Sequence, residues 1–179
     1  MSAHLKTPSY SETIKTEVVC PNDTNPMGIL QGGRLVQWMD IAAAVSRQTH
    51  ADGICVTASI DSVKFYHSAK VGDILTIRAR VTRAFNTSME IMVEAFVRDV
   101  YHNNPKPLSL AYFTFVAIDK EAKRTVEPLV LQSDEDKRNF EEAGQRKQDV
   151  LKKKKYEQIR ITCTRWLLRE PYGSHTCRC

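Results

Sequence analysis

The sequence predicts an α+β protein in which a five-stranded antiparallel sheet wraps around one long central helix. A single strand-like segment precedes one uninterrupted helical segment, and four strand-like segments follow it. Three of the last four alternate apolar and polar residues, and short turn sequences join the later strands, which favours antiparallel pairing. One amphipathic helix must then cover one face of the sheet.

The first strand is predicted at Thr13–Cys20, and a turn-rich segment, Pro21–Pro26, follows it. The segment Gly28–Gly33 is expected to be a flexible approach to the helix. The helix itself is predicted at Arg34–Thr49, where apolar residues recur every three or four positions without an intervening Gly or Pro.

The later strands show the two-residue period of a sheet with one buried face. The last of them is apolar on both faces, as expected for a central strand. Apolar groups on the second face of the sheet predict an oligomer. The four strands are predicted at Val56–Tyr66, Ile74–Phe85, Met89–Val100 and Leu108–Ile118.

The charge distribution divides the chain into residues 1–131, one domain, and residues 132–179, a charged helix and a basic tail. The net charge is +5 over 179 residues, but eight of the Lys and Arg residues lie after Val150. The preceding part is nearly neutral, with 18 basic and 19 acidic residues. A nucleic-acid partner is therefore not expected for the folded domain.

Neither a membrane span nor a metal site is predicted. No apolar run approaches the ~20 residues of a transmembrane helix, and the N-terminus lacks the apolar stretch of a signal peptide. These observations predict a cytoplasmic protein. The five cysteines lack the spacing of a zinc site, and no cofactor is expected.

Asp40 is the first candidate for catalysis. At helical spacing it borders the apolar face, where a carboxylate needs a pocket, a donor or a water. Gly32 and Gly33 stand at the start of the same helix, where unpaired backbone N–H groups point outward. A donor pair and a carboxylate on one helix suggest an oxyanion hole and a general base; an exposed Asp and an ordinary helix start remain the alternative.

The segment Pro21–Asp40, with Pro-Asn-Asp-Thr-Asn, a Gly-Gly pair and Trp-Met-Asp, resembles the acyl-CoA hydrolase branch of the hotdog thioesterases. Further similar segments extend the resemblance from about Ser11 to Pro128. These segments are Val63–Phe65, Val71–Asp73, Ala84–Glu90 and Phe113–Ala117.

The resemblance implies a hotdog fold and hydrolysis of acyl-CoA to free fatty acid and coenzyme A, which enters only as part of the substrate. It also implies that two subunits pair into one continuous sheet with active sites at their interface. Three such dimers would assemble into a hexamer.

The matching motif gives Asp40 the role of general base or nucleophile, and gives Gly32 and Gly33 backbone donation to the thioester oxygen. Thr57 and Ser59 match the strand that lines the water and thioester region. The residues that match segments contacting coenzyme A are Lys64, Arg83, Asn86, Thr87 and Ser88.

The sequence departs from some relatives immediately before the glycine pair. Ile29 stands where certain two-domain relatives carry a second catalytic Asn, and Gln31 replaces a frequent His or Phe. Asn25 is the residue that could partly serve in place of that Asn, so it joins the predicted substrate-binding set.

Two other functions fit the same fold. A hotdog dehydratase would need a catalytic histidine, for which His50 and His67 are the candidates, although both are better interpreted as loop residues. A non-catalytic acyl-CoA sensor would use the same cleft and would bind a partner through the basic tail.

Overall fold

The computed structural model describes residues 6–101, 104–118 and 126–167, with side chains described up to Lys153. The elements follow the predicted order and lie close to the predicted boundaries. They are β1 (Thr13–Val18), α1 (Gly32–Ala51), β2 (Cys55–Phe65), β3 (Ile74–Ala84), β4 (Ser88–Arg98), β5 (Lys106–Ala117) and α2 (Asp134–Leu167).

The five strands form one antiparallel sheet in the order β1-β3-β4-β5-β2, and α1 packs mainly against β3 and β4. The predicted fold class is confirmed. Alternate residues of the central strands point to α1 and are fully buried, for example Ile77, Val93 and Phe113. β2 lies at one edge, so this sheet leaves its outer backbone edge unpaired within the described chain.

The predicted alternation along β2 is wrong, because the pairing of β2 with β5 shifts register. Thr57 lies opposite Phe115, whereas Ser59 lies opposite Thr114. Opposed residues of antiparallel strands share a face, and successive residues of β5 point to opposite faces. An extra residue in β2 therefore sends Ser59 to the face away from α1.

The helix α1 is longer than predicted at both ends. It begins at Gly32, so the glycine pair forms its first turn and is not a flexible approach. It ends at Ala51, where Asp52 adopts a left-handed conformation (φ 49°) and its N–H caps the carbonyl of Gln48.

The start of α2 is bound to β3 by an ion-pair cluster. Arg80 contacts the carboxylates of Glu12, Glu135 and Asp136 at 3.8, 3.0 and 3.6 Å.

Contacts within the chain divide it after Phe140. The domain boundary at residues 131/132 stays a prediction, and the tail at residues 168–179 lies outside the described residues. None of the described helices is long and apolar enough to cross a membrane.

His50 is not a loop residue but a buried residue in the last turn of α1. Its Nε2 lies 3.1 Å from the carbonyl oxygen of Glu127. Since a carbonyl only accepts hydrogen bonds, Nε2 carries the proton and donates it. Burial, together with the nearby charge of Lys6, lowers the pKa of His50 despite the opposing effect of the Glu127 carbonyl.

This lowered pKa predicts a loss of stability in mild acid. The unfolded chain binds the His50 proton more readily than the folded chain, so the free energy of unfolding should fall as the pH drops below about 6.5. We expect His50→Gln, which keeps a donor for Glu127, to flatten this dependence in urea titrations between pH 5 and 8. His67→Gln is the matched control, and an unchanged slope in His50→Gln would contradict the prediction.

Candidate active site

The first turn of α1 presents backbone donors that the described residues do not use. The first intrahelical bond runs from Leu35 N–H to the carbonyl of Gln31, at 3.1 Å. Within the described part of the chain, the N–H groups of Gly32 and Gly33 have no acceptor. Together with the helix dipole, they form a surface suited to an anionic oxygen.

The two glycines differ in what surrounds them. A Cβ on Gly32 would lie 3.3 Å from the ring of Phe65, so a side chain there would crowd β2. A Cβ on Gly33 would meet nothing within 4 Å, and its φ is not positive. Neither packing nor backbone conformation therefore requires glycine at Gly33. The space beside it is open within the described chain.

Asn25 lies in a tight loop before this turn. Its Oδ1 accepts hydrogen bonds from the N–H groups of Met27 and Ile29, at 3.0 and 3.2 Å. Gly28 closes the loop with a positive φ of 71°. Because the side-chain oxygen is occupied, the amide NH2 is the end that points away from the loop, and no described residue accepts from it.

Asp40 lies two turns further along α1 and is partly buried. The hydroxyl of Thr57 donates to Asp40 Oδ1 at 3.0 Å, which fixes the orientation of the carboxylate. Among the described residues, no group binds Oδ2. The sequence prediction that Asp40 and Thr57 belong to one site is therefore consistent with their contact, and Oδ2 is left for a water or substrate.

Ser59, which the sequence groups with Thr57, does not join them. Its hydroxyl donates to Asp61 Oδ2 at 2.7 Å on the face of the sheet away from α1. The register shift after Thr57 causes this separation. The pattern of apolar and polar residues gave no sign of it, because Thr57 and Ser59 stand at ordinary strand spacing.

The residues that match coenzyme A contacts fall into two groups. Asn86, Thr87 and Ser88 form the β3–β4 hairpin, at the same end of the sheet as Thr57. Three strand spacings separate Thr57 from Ala84 in β3, or about 14 Å. An extended ligand of about that length could therefore contact both the hairpin and the end of β2 where Thr57 binds Asp40.

Arg83 lies beside that hairpin but is already bound within the chain. Its Nη1 donates to the carbonyl of Phe140 at 3.0 Å, and its guanidinium stacks 4.0 Å above the ring of Phe140. Lys64 lies at the opposite end of β2, across from Leu110, on the face away from α1. One chain therefore does not bring Lys64 together with the hairpin.

The donors and the carboxylate are also separated within one chain. Seven residues of helix between Gly33 and Asp40 correspond to about 10 Å. A general base and an oxyanion hole must both lie about 3 Å from the reacting groups. The two halves on one α1 therefore cannot act on the same carbonyl.

An apolar cavity of about 240 Å³ opens beside Gly32. Its size and lining suit an apolar segment of a ligand near the unpaired donors. The cavity is lined by Ile29, Leu30, Gly32, Leu35, Phe65, His67, Ser68, Ala69 and Leu108. His67 donates from Nδ1 to the carbonyl of Pro107 at 2.7 Å, and neither His67 nor His50 is hydrogen bonded to Asp40 in the described structure.

Comparison with known proteins identifies the family. The model of the thioesterase superfamily matches residues 27–101. The acetyl-coenzyme A thioesterase of Mus musculus is 38% identical over 76% of this chain, which spans about a quarter (25%) of that relative's length. The uncharacterized acyl-CoA thioester hydrolase YkhA of Bacillus subtilis is 32% identical over 70% of this chain and 73% of its own.

Solved structures of acyl-CoA hydrolases and thioesterases are similar to this chain. The acyl-CoA hydrolase of Staphylococcus aureus, in complex with butyryl coenzyme A, coenzyme A and coenzyme A disulfide, has a TM-score of 0.78 at 34% identity, covering 93% of this chain and all of that one. Structures of its variants have alanine in place of one Asp, one Thr and one Asn. An apo-hexameric acyl-CoA thioesterase has a TM-score of 0.79 at 36% identity, covering 82% of this chain and 95% of that chain. On its fold and on these similarities, the chain belongs to the thioesterase superfamily and, within it, to the hotdog-fold acyl-CoA thioesterases.

Proposed function

We propose that this chain hydrolyses acyl-CoA thioesters to free fatty acid and coenzyme A, with Asp40 as the general base. The observation that carries the proposal is the hydrogen bond from Thr57 to Asp40 Oδ1, which orients a partly buried carboxylate and leaves Oδ2 unoccupied. A carboxylate held in this way can accept a proton from an attacking water.

Hydrolysis then needs few groups. Asp40 Oδ2 takes a proton as the water oxygen bonds to the thioester carbon, and the carbonyl oxygen becomes an oxyanion. The backbone N–H groups of Gly32 and Gly33 stabilise that charge, each worth on the order of 3 kcal/mol. When the C–S bond breaks, the electron pair leaves with coenzyme A, and the proton on Asp40 can pass to the departing thiolate. The proposed reaction requires no metal or redox group.

Because Gly33 and Asp40 lie about 10 Å apart on one helix, we assign these two halves of the site to different subunits. A two-fold axis between neighbouring α1 helices would bring the donors of one subunit to the carboxylate of the other, twice per dimer. The free edge of β2 supports such a dimer, since Val56, Ile60 and Phe65 on that strand remain exposed (45%, 39% and 54%).

The Staphylococcus aureus hydrolase supports the same choice of residues. The three positions changed to alanine in that protein are 15 and 17 residues apart, which are the separations of Asn25, Asp40 and Thr57 here. On this basis Asn25, and not the position of Ile29, supplies the amide. We assign its free NH2 to the oxyanion-binding half, beside Gly33.

The remaining proposals concern the ligand and the assembly. The hairpin Asn86–Ser88 is suited to the coenzyme A moiety, and Lys64 can reach it only from a neighbouring subunit. The hexameric relative supports a trimer of dimers. Acyl-CoA as substrate and a cytoplasmic location stay predictions for this chain.

Replacing Asp40 tests the proposal most simply. Asp40→Asn keeps the shape and can still accept the Thr57 hydrogen bond, but it removes the base. We expect the rate of thiol release from acyl-CoA to fall by at least about a hundredfold. Asp134→Asn, at a highly exposed carboxylate on α2, is the control. Ligand binding without thiol release by the wild-type protein would favour the non-catalytic sensor instead.

Thr57 and Ser59 give a matched pair of variants on one strand. Thr57→Val removes the hydroxyl that orients Asp40, and we expect kcat to fall about tenfold. Thr57→Ser should retain most of the activity. Ser59→Ala, on the other face of the sheet, should leave kcat unchanged. Equal losses in Thr57→Val and Ser59→Ala, measured by thiol release, would contradict the assigned geometry.

A further inference from the structure

Asp23 lies immediately before the Asn25 loop and is a buried carboxylate whose two oxygens both accept hydrogen bonds. Its Oδ1 accepts from Arg34 Nε at 2.8 Å, and its Oδ2 accepts from the N–H of Cys20 at 3.0 Å. The side chain is only 8% exposed. The Cys20 hydrogen bond, and then the bond and charge of Arg34, lower the pKa of Asp23 against the opposing effect of burial. The group therefore stays ionised at neutral pH.

The backbone of the same turn holds the residue that precedes α1. The N–H of Gln31 donates to the carbonyl of Asp23 at 2.9 Å, and Gln31 Nε2 donates to the carbonyl of Thr24 at 2.9 Å. Together with the Asp23–Arg34 pair, these contacts join the two ends of the loop at three points. We call this set of contacts the loop clamp.

Arg34 is itself fixed on the surface of α1. Its Nη1 donates to Gln37 Oε1 at 2.8 Å, and its guanidinium lies 5.4 Å from the ring of Trp38. Only 44% of its side chain is exposed. The ion pair therefore connects a buried carboxylate to a guanidinium that the helix already holds in place, which limits the entropy lost by pairing.

The loop clamp encloses both groups assigned to the oxyanion-binding half. Asn25 lies two residues after Asp23, and Gly33 immediately precedes Arg34. The separation of the Asn25 NH2 from the Gly33 N–H depends on how the loop sits against the helix start. Asn25 Oδ1 accepts hydrogen bonds from the backbone of its own loop, so any shift of the loop also shifts the Asn25 amide.

We propose that Asp23 and Arg34 are positioning residues that hold the Asn25 amide and the Gly33 N–H at the spacing an oxyanion requires. In this role neither residue contacts the substrate. The inference rests on the proposed thioesterase activity. Since displacement of a reacting group by about 1 Å can cost about a hundredfold in rate, a modest shift of this loop is enough to be measured.

The test uses Asp23→Asn, Arg34→Gln and the double variant, in the full chain. We expect each single variant to lower kcat for thiol release about tenfold or more, with KM within about twofold, because oxyanion contacts form mainly in the transition state. The double variant should lose no more than the worse single variant, since the pair acts as a unit. Arg34→Lys, which keeps the charge, should recover part of the rate.

Glu94→Gln is the matched control, because it breaks an Arg–carboxylate pair with Arg78 (3.1 and 2.6 Å) on the sheet. It should keep the wild-type kcat. A lower melting temperature with an unchanged kcat per folded subunit in the Asp23 and Arg34 variants would overturn the positioning role. If Asp23→Asn does not fold, the comparison of Arg34→Gln with Arg34→Lys tests the positioning role, because the Arg34 side chain is half exposed and its replacement disturbs the core less. Absence of thiol release from the wild type and from Glu94→Gln would overturn the proposed function, and this inference with it.

Discussion

The geometry of a single helix constrains the whole site. The first turn of α1 presents the backbone N–H groups of Gly32 and Gly33, for which no described residue is an acceptor, and the carboxylate of Asp40 lies about 10 Å further along the same axis. A rigid helix cannot bring these groups together, so the proposed reaction at one carbonyl calls for a second copy of α1. The edge strand β2 is a surface along which such a second copy could pair about a two-fold axis.

Different contacts of the fold hold the two parts of α1 that form the candidate site. The core between α1 and the sheet, with Phe113 and Val93 fully buried, fixes where the helix lies. Thr57 at the edge of the sheet then orients Asp40 through one hydrogen bond. At the other end, Asp23 and Arg34 join the preceding loop to the helix start. Each half of the site is thus supported by separate contacts, which allows the two halves to come from two subunits.

The fold could be predicted from local patterns, because periodicity and turn residues are short-range properties. The roles proposed for Asp40 and Gly33 rest on a motif, and the contact of Asp40 with Thr57 became visible only in the structure. Ser59 was misplaced because an extra residue in β2 reverses its face without changing the sequence pattern. The contact of His50 with Glu127 joins residues 77 positions apart, and the loop clamp joins Asp23 to Arg34 across 11. No pattern along the chain reports such pairs.

Subunit complementation tests the shared site most directly. Asp40→Asn and Gly33→Val, whose side chain enters open space within its own chain, should each abolish thiol release alone. If donors and base come from different subunits, mixed dimers contain one intact site, and a random mixture should recover about a quarter of the wild-type activity. If both halves act within one chain, co-refolded mixtures will stay as inactive as the separate variants, and the account is contradicted.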